Sequence, residues 1–479
     1  MKELVVDNFA GGGGASTGIE MAIGRSVDIA INHDPDAVAM HKANHPASKH
    51  YCEDVWQVDP VEACDGNPVA LAWFSPDCKH FSRAKGGKPV DKKIRGLAWV
   101  VIKWAYTVRP KVLMLENVPE IRTWGPLGKD GKPIKERSGE TFRGFLLALT
   151  EGIPESHPAY REMCDALSIE PTSEMAQRLQ KGLGYKVQYR ILKSCDYGAP
   201  TSRTRLYVVA RCDGLPIIFP EPTHAQRDSE AVKRGLKLPY QTAAGCIDCT
   251  LPAQSIFERK KPLAENTMRR IARGIQKFVI ENPEPFIIPI GYGEREGQAP
   301  RVNKINEPLG TVVSSSKHYL VAPTLLHSTI AKPEKTRCMV MHNNMDGQPI
   351  DEPLTTISCS GAHHTEVQAF LVKYFSTGAA KSVNEPLDTI TTKDHFALVT
   401  IHGEDYIITD IKMRMLQPRE LFNAQGFPRN YIIDHDADGN PYSKSKQVAR
   451  CGNAVTPQVP CALVRANLPW ICKIERSRK

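Results

Sequence analysis

No apolar run in the 479 residues reaches the roughly twenty needed to cross a bilayer, so no membrane partner is expected. Met1-Lys2-Glu3-Leu4 passes straight into a strand pattern, without the apolar stretch and cleavage site of a secretory leader, and a cytoplasmic setting is expected. Thirteen cysteines, an odd number scattered along the chain, fit reduced thiols better than a disulfide framework. Cys246 and Cys249 form one isolated CxxC with no second pair at zinc spacing, so structural thiols are favoured and no metal is expected. The spaced G-x-G-x-x-G of a nicotinamide site is missing as well, and Asn32 ends the second strand where that site would place an acid. One-sided charge is weak: 62 basic against 53 acidic residues leave a net +9, which permits nucleic-acid binding without demanding it.

What is present is an alternation of strand and helix patterns. Strands are expected at Leu4 to Phe9, Asp28 to Asn32, Val69 to Phe74, Lys111 to Leu115, Lys186 to Leu192 and Arg205 to Ala210. Helices fall between them, from about Ser16, at Asp36 to Asn44, Ile94 to Thr107 and Thr141 to Leu149. Such alternation predicts an α/β fold with a doubly wound, mostly parallel sheet. The pattern stops near Phe219. Beyond it, Asn306-Glu307-Pro308-Leu309-Gly310-Thr311-Val312-Val313 returns as Asp351-Glu352-Pro353-Leu354-Thr355-Thr356-Ile357-Ser358 and as Asn384-Glu385-Pro386-Leu387-Asp388-Thr389-Ile390-Thr391. Each copy reads as a turn and a short strand leading to a histidine: His318, His363 with His364, or His395. Three β units outside the main sheet predict a second, smaller, β-rich domain, serving either recognition or stacking. Glu265 to Phe278 reads as an amphipathic helix with Arg269, Arg270, Arg273 and Lys277 on a basic face, open to DNA-backbone contact or to solvent alone.

The chemistry concentrates at strand ends. Cys78 follows the apolar run Val69 to Phe74, where open α/β sheets build their sites, and Lys79 and His80 favour its thiolate. A free cysteine in isolation is more often a small buried hydrophobe. The loop beyond it carries Arg83, Lys85, Lys88, Lys92, Lys93 and Arg95 among glycines, suited to clamping phosphates or to lying in solvent. Glu116, with Asn117 and Val118, ends the next strand, and a carboxyl group there can supply the proton that a thiol attack on an aromatic ring requires. Asp7 to Gly14 follows the first strand and opens the first helix, where glycines admit a nucleotide-like ligand to the backbone or make a tight turn. Arg203 and Arg205 precede a strand, and Gly452-Asn453-Ala454-Val455 forms a late turn.

Taken in order, these segments resemble the cytosine-5 DNA methyltransferase family. The likeness rests on the glycine stretch, the Cys78 loop, Glu116-Asn117-Val118, the Arg203/Arg205 pair, Arg419-Glu420 to Gln425-Gly426-Phe427-Pro428, and Gly452 to Val455. The resemblance implies a Rossmann-like catalytic domain over 1–225, a target-recognition domain over 226–405, and a segment over 406–479 that returns to complete the first. It implies S-adenosyl-L-methionine as cofactor, held by Phe9, Gly11, Gly13, Gly14, Asn32, His33, Asp54, Val55 and Asn453. It assigns catalysis to Cys78, Glu116, Arg203 and Arg205, and substrate contacts to Ser82, Arg83, Lys85, Asn117 and Val118. Its partner would be double-stranded DNA, with a cognate restriction endonuclease as a further companion and a monomer as the working unit. The chain departs from the family in having Asp77 and Lys79 around the cysteine, Asn32 for the ribose acid, and Thr201 for the glutamine before the arginines.

The expected reaction extrudes a cytosine from the duplex, adds Cys78 to its carbon 6 and methylates carbon 5. An RNA substrate and a catalytically silent DNA-binding relative are the competing readings.

Overall fold

The computed structural model describes residues 2–77, 96–128, 131–275, 286–290, 298–312, 317–328, 337–338, 348–349, 371–372, 397–401 and 404–473. Cys78, Ser82, Arg83 and Lys85, the second and third repeat copies, and His363, His364 and His395 lie outside the described residues. Contacts divide the chain into one compact unit of 1–241, 310–314 and 421–479, and another of 242–309 and 315–420.

In the first unit seven strands form one sheet in the order β3-β2-β1-β4-β5-β7-β6. They are β1 Leu4–Asn8, β2 Ile29–Ile31, β3 Lys49–Tyr51, β4 Val69–Phe74, β5 Val112–Asn117, β6 Lys186–Lys193 and β7 Thr204–Arg211. β1 to β5 pair in parallel, and β7 runs antiparallel to both β5 and β6. The β4 and β5 sequences, VALAWF and VLMLEN, are near-continuous apolar runs because both faces of a parallel sheet are covered. Alternate residues feed two cores: Val6, Phe74, Leu113 and Leu115 pack with Trp99, Trp104 and Phe145 on one face. Val5, Trp73 and Met114 pack on the other with Ile19, Val459 and Leu463. β1 connects to β2 on one side and the chain later returns to β4 on the other, so the switch point lies between the carboxyl ends of β1 and β4.

The chain's end closes this unit. Helix α1, Gly14–Ile23, opens directly after β1 and packs against the late helix Gln458–Asn467. Two α1 glycines permit that approach. A Cβ on Gly14 would lie 2.2 Å from the Val455 carbonyl oxygen, and one on Gly18 would lie 2.2 Å from that of Pro457. Backbone cannot yield as a flexible side chain does, so Gly18→Ala is expected to destabilise the chain by about 1–3 kcal/mol. Denaturant unfolding would test this, and an unchanged midpoint would refute the packing argument.

In the second unit an antiparallel sheet runs in the order Asn303–Lys304, Phe286–Ile290, Lys317–Ser328, Glu404–Met415, Ala397–Ile401, Leu371–Val372. Phe286, Ile288, Val321, Ile411 and Met413 form its core with Met268, Ile271 and Ile275 of the helix region beginning at Glu265. That helix differs from the expected all-basic outer face: Arg269 is exposed and paired with Glu265, whereas Arg270 is buried. Glu404–Met415 pairs along Lys317–Ser328, so the second unit continues to Glu420 and the return to the first begins at Leu421, not at 406. The other boundary falls at Gln241 rather than 225. The first repeat copy also departs from expectation, since Gly310, Thr311 and Val312 form no strand and belong to the first unit.

Candidate active site

The glycine turn lies at the switch point. Phe9 (φ 61°), Gly11 (φ 54°) and Gly13 (φ 92°) all adopt left-handed backbone, which carries the chain from β1 into α1 within a few residues. Three of the four glycines there have different surroundings. Around a Cβ on Gly11 the nearest neighbour is the Phe9 carbonyl oxygen at 3.8 Å, so that face is open. A Cβ on Gly13 would meet Tyr431 Oη at 2.2 Å and His45 Nε2 at 2.6 Å. Gly14 is taken up by Val455. The turn is therefore supported from below by the returning chain and open at Gly11.

A buried polar layer underlies it. Ser16 Oγ donates to Asp7 Oδ2 (2.7 Å), which leaves His41 Nε2 as the donor to Ser16 Oγ (2.9 Å) and His41 Nδ1 as acceptor for His50 Nε2 (2.8 Å). Burial pushes the Asp7 carboxyl up to about 7. Burial first, then Lys42 and His45, brings His50 down to about 4. His41 is depressed by burial and by its two histidine neighbours. Beside this chain, Tyr431 Oη donates to the Gly12 carbonyl (2.6 Å) and contacts His45 Nε2 (3.1 Å). Asn8, fully buried, has neither side-chain atom hydrogen-bonded. Orphaned buried amides cost free energy, so Asn8→Leu is expected to raise stability by about 1 kcal/mol or more and to leave cofactor affinity unchanged. A lower melting temperature would overturn that expectation.

Asn32 ends at the neighbouring edge, half-buried, with Oδ1 accepting from Asp34 N (2.9 Å). Its Nδ2 has no hydrogen bond among the described residues, so a donor is available at this strand end. His33 and Asp54 are exposed, Asp54 Oδ1 accepts from Trp56 N (3.0 Å), and Val55 is buried. Asn453 is exposed at the last position of the helix Lys444–Asn453. Open backbone at Gly11, the half-buried Phe9 ring and the Asn32 amide together fit a nucleoside ligand.

The reactive edge is built by β4, β5 and β7. β4 ends at Phe74, and the chain leaves through Ser75 and Pro76 toward Cys78. Ser75 Oγ accepts from Trp73 Nε1 (2.8 Å), and Asn117 Nδ2 donates to the Pro76 carbonyl (3.0 Å). Asn117 thus anchors the chain two residues before the cysteine. Glu116, which precedes it, is nearly fully buried and pairs in register with Tyr207 of β7. Its Oε1 lies 3.2 Å from Arg205 Nε and 3.9 Å from Arg203 Nη2. Both arginines are buried. Arg203 Nη1 additionally donates to the carbonyls of Gly452 (3.2 Å) and Val312 (3.3 Å), and Arg203 N to Thr201 Oγ1 (3.3 Å). Val118 is buried beyond Asn117.

Sequence reasoning missed the anchoring role of Asn117, which a polar residue closing an apolar strand could have signalled. It also missed Tyr431 and the carbonyls of Val312 and Gly452. The two carbonyls offered no signal, because backbone acceptors carry no residue type, and Tyr431 offered none because its partner is the Gly12 carbonyl, 419 residues away. Among the described residues there is no group of three or more possible metal ligands, and Cys246 and Cys249 form no disulfide.

A glycine turn at the switch point of a β3-β2-β1-β4-β5-β7-β6 sheet, beside a buried carboxylate flanked by two arginines, defines a Rossmann-like α/β enzyme domain. The chain belongs to the C-5 cytosine-specific DNA methylase family, whose model matches residues 4–125 and 170–467. It is 25% identical over 265 residues to Type II methyltransferase M.AquIA of Picosynechococcus sp., covering 53% of this chain and 91% of that one. Type II methyltransferase M.NgoBI of Neisseria gonorrhoeae is 28% identical over 46% of this chain and 55% of its own length. For M.XorII of Xanthomonas oryzae pv. oryzae the values are 27%, 48% and 46%. The chain therefore spans about half the length of the latter two. A solved structure of the S. pombe Dnmt2 methyltransferase covers 98% of this chain and 99% of its own at 13% identity and a TM-score of 0.44. No described helix is long and apolar enough to cross a membrane.

Proposed function

We propose that this protein transfers a methyl group to carbon 5 of a cytosine flipped out of a specific duplex DNA sequence. The observation that carries the reading is the buried Glu116 with Arg205 at 3.2 Å, next to the Asn117-anchored exit of β4 that leads to Cys78. S-adenosyl-L-methionine, when bound, supplies the methyl group. Phe9, Gly11, Asn32, His33, Asp54, Val55 and Asn453 would hold it, with Gly13 and Gly14 shaping the turn.

Cys78 as thiolate adds to carbon 6, which breaks the aromaticity of the ring and makes carbon 5 the nucleophile that takes the methyl group. Glu116 protonates or hydrogen-bonds ring nitrogen 3, where electron density accumulates, and Arg205 and Arg203 hold the carboxyl and the base in place. Asn117 positions the Cys78 loop through Pro76, and Ser82, Arg83 and Lys85 contact the DNA backbone near the extruded nucleotide. After methylation, a base from solvent takes the carbon 5 proton as the carbon 6–sulfur bond breaks, which releases the Cys78 thiolate and restores the ring. The second unit, with the second and third repeats, reads the target sequence, and a companion restriction endonuclease, a monomeric working unit and a cytoplasmic setting belong to the same reading.

Bisulfite sequencing of DNA from cells expressing the wild type, beside a Cys78→Ala control, tests it. Wild-type-dependent 5-methylcytosine within one sequence context is expected. Equal methylation in both, or none with the wild type and labelled S-adenosylmethionine in vitro, would refute the reading.

A further inference from the structure

The compact unit that contains Glu116 includes residues 310–314, although 242–309 and 315–420 on either side belong to the other unit. Residues 310–313 of that stretch are the second half of the first repeat copy. Val312 is fully buried there, and its main-chain carbonyl accepts from Arg203 Nη1 at 3.3 Å. The same nitrogen donates to the Gly452 carbonyl at 3.2 Å, while the other end of the guanidinium lies 3.9 Å from Glu116. Arg203 therefore joins three separate stretches of chain: the end of β5, the returning C-terminal segment and the first repeat.

We infer that the first repeat copy is a positioning strap for catalysis, its Val312 carbonyl holding Arg203 so that the Glu116 carboxyl points correctly at the substrate base. The inference rests on the reading of Glu116 given above and assigns that repeat a task distinct from base recognition. Geometry supports the division of labour between the arginines. Arg205 makes the closer ion contact, whereas Arg203 spends one nitrogen on two neutral carbonyls and stands farther from the carboxylate. A guanidinium is a planar fork, so fixing one nitrogen fixes the direction of the other. Displacing the Val312 carbonyl turns the fork and releases the carboxyl from one of its two cations.

Val312→Ala loosens the strap without touching a charged group, and Arg203→Lys keeps a cation that cannot fork. Steady-state kinetics on duplex DNA are expected to show kcat lowered about tenfold by Val312→Ala, with KM for DNA and for cofactor changed less than twofold. In the Arg203→Lys background the same alanine is expected to have no further effect on kcat. A raised KM for DNA with unchanged kcat, or additive losses in the double variant, overturns the strap. Should Val312→Ala fail to fold, Val312→Ile crowds the same site and is read by the same cycle. A thermal-unfolding cycle on the same variants reports the contact without any activity. Coupled unfolding with additive kinetics overturns the catalytic role alone and leaves the methyltransferase reading standing. Absence of methyl transfer by the wild type overturns both.

Discussion

Alanine at position 78 is expected to reduce methyl transfer to duplex DNA by roughly 10³-fold or more, while cofactor binding survives. In the proposed reaction the thiol supplies the bond that makes carbon 5 nucleophilic, and Cys52, Cys64, Cys195 and Cys451 are poorly placed to replace it. Cys64, Cys195 and Cys451 are buried, with thiols pushed up by burial, and Cys52, though exposed, follows β3 at the sheet's outer edge. The glycine turn after β1 is a separate element, so stabilisation by S-adenosylmethionine should persist in the variant, about 2.7 kcal/mol at a hundredfold excess over Kd. Glu116→Gln is expected to cost less, about 10²- to 10⁴-fold, because it removes a proton-handling group but leaves the covalent step. Radiolabelled methyl incorporation and a thermal-shift titration separate the cases. Normal turnover by the alanine variant would remove Cys78 from the mechanism.

The elements that bury most apolar surface were the most legible in the sequence. β4 falls at Val69–Phe74 as expected, since an unbroken apolar run with turn residues on both sides leaves little choice. β5 was placed at Lys111 to Leu115 yet runs through Glu116 and Asn117, because ladder hydrogen bonds to β7 extend beyond the point where apolar patterning stops. β3, Lys49–Tyr51, carries no apolar signal at all and exists through its parallel pairing with β2. The extent of the second unit was misjudged for a related reason. Glu404–Met415 reads as a strand, but a strand pattern does not name its neighbour, and here the neighbour is Lys317–Ser328.

The candidate site was legible where side chains carry chemistry. Arg203 and Arg205 each bring a guanidinium nitrogen within 4 Å of the Glu116 carboxylate. The supporting framework was hidden. Tyr431 beneath Gly12, Val455 against Gly14 and Gln425 donating to the carbonyls of Cys451 and Ala454 all depend on which backbone passes nearby. The Gln425-Gly426-Phe427-Pro428 segment thereby acquires a physical role: it ties the returning chain to the helix before Val455. Gln458 Nε2 adds a second tie, donating to the Gly426 carbonyl at 2.7 Å.

Glu420→Ala is expected to destabilise the second unit by about 3–5 kcal/mol, the largest stability loss of any single substitution considered, because it strands a buried cation. Glu420 is 3% exposed and Arg414 8%. Arg414 donates to both carboxylate oxygens, Nη1 to Oε2 and Nη2 to Oε1, each at 2.8 Å. The same carboxylate accepts from Asp248 N (2.8 Å) and Gln417 N (2.6 Å), closing the loop that bears Cys246 and Cys249 onto the end of the long strand Glu404–Met415. Its partner's guanidinium is held even more firmly charged than usual by this hydrogen bonding, so it cannot relieve the loss by giving up its proton. Adding Arg414→Met to Glu420→Ala should recover part of the stability, since no charge is then left buried. Recovery should be incomplete, because the amides of Asp248 and Gln417 still lack their acceptor. Denaturant unfolding of the three variants, followed by fluorescence, reads both steps. A single alanine variant that unfolds with the wild type would place the clamp in solvent, and a double variant less stable than the single one would mean that Arg414 contributes through packing rather than charge.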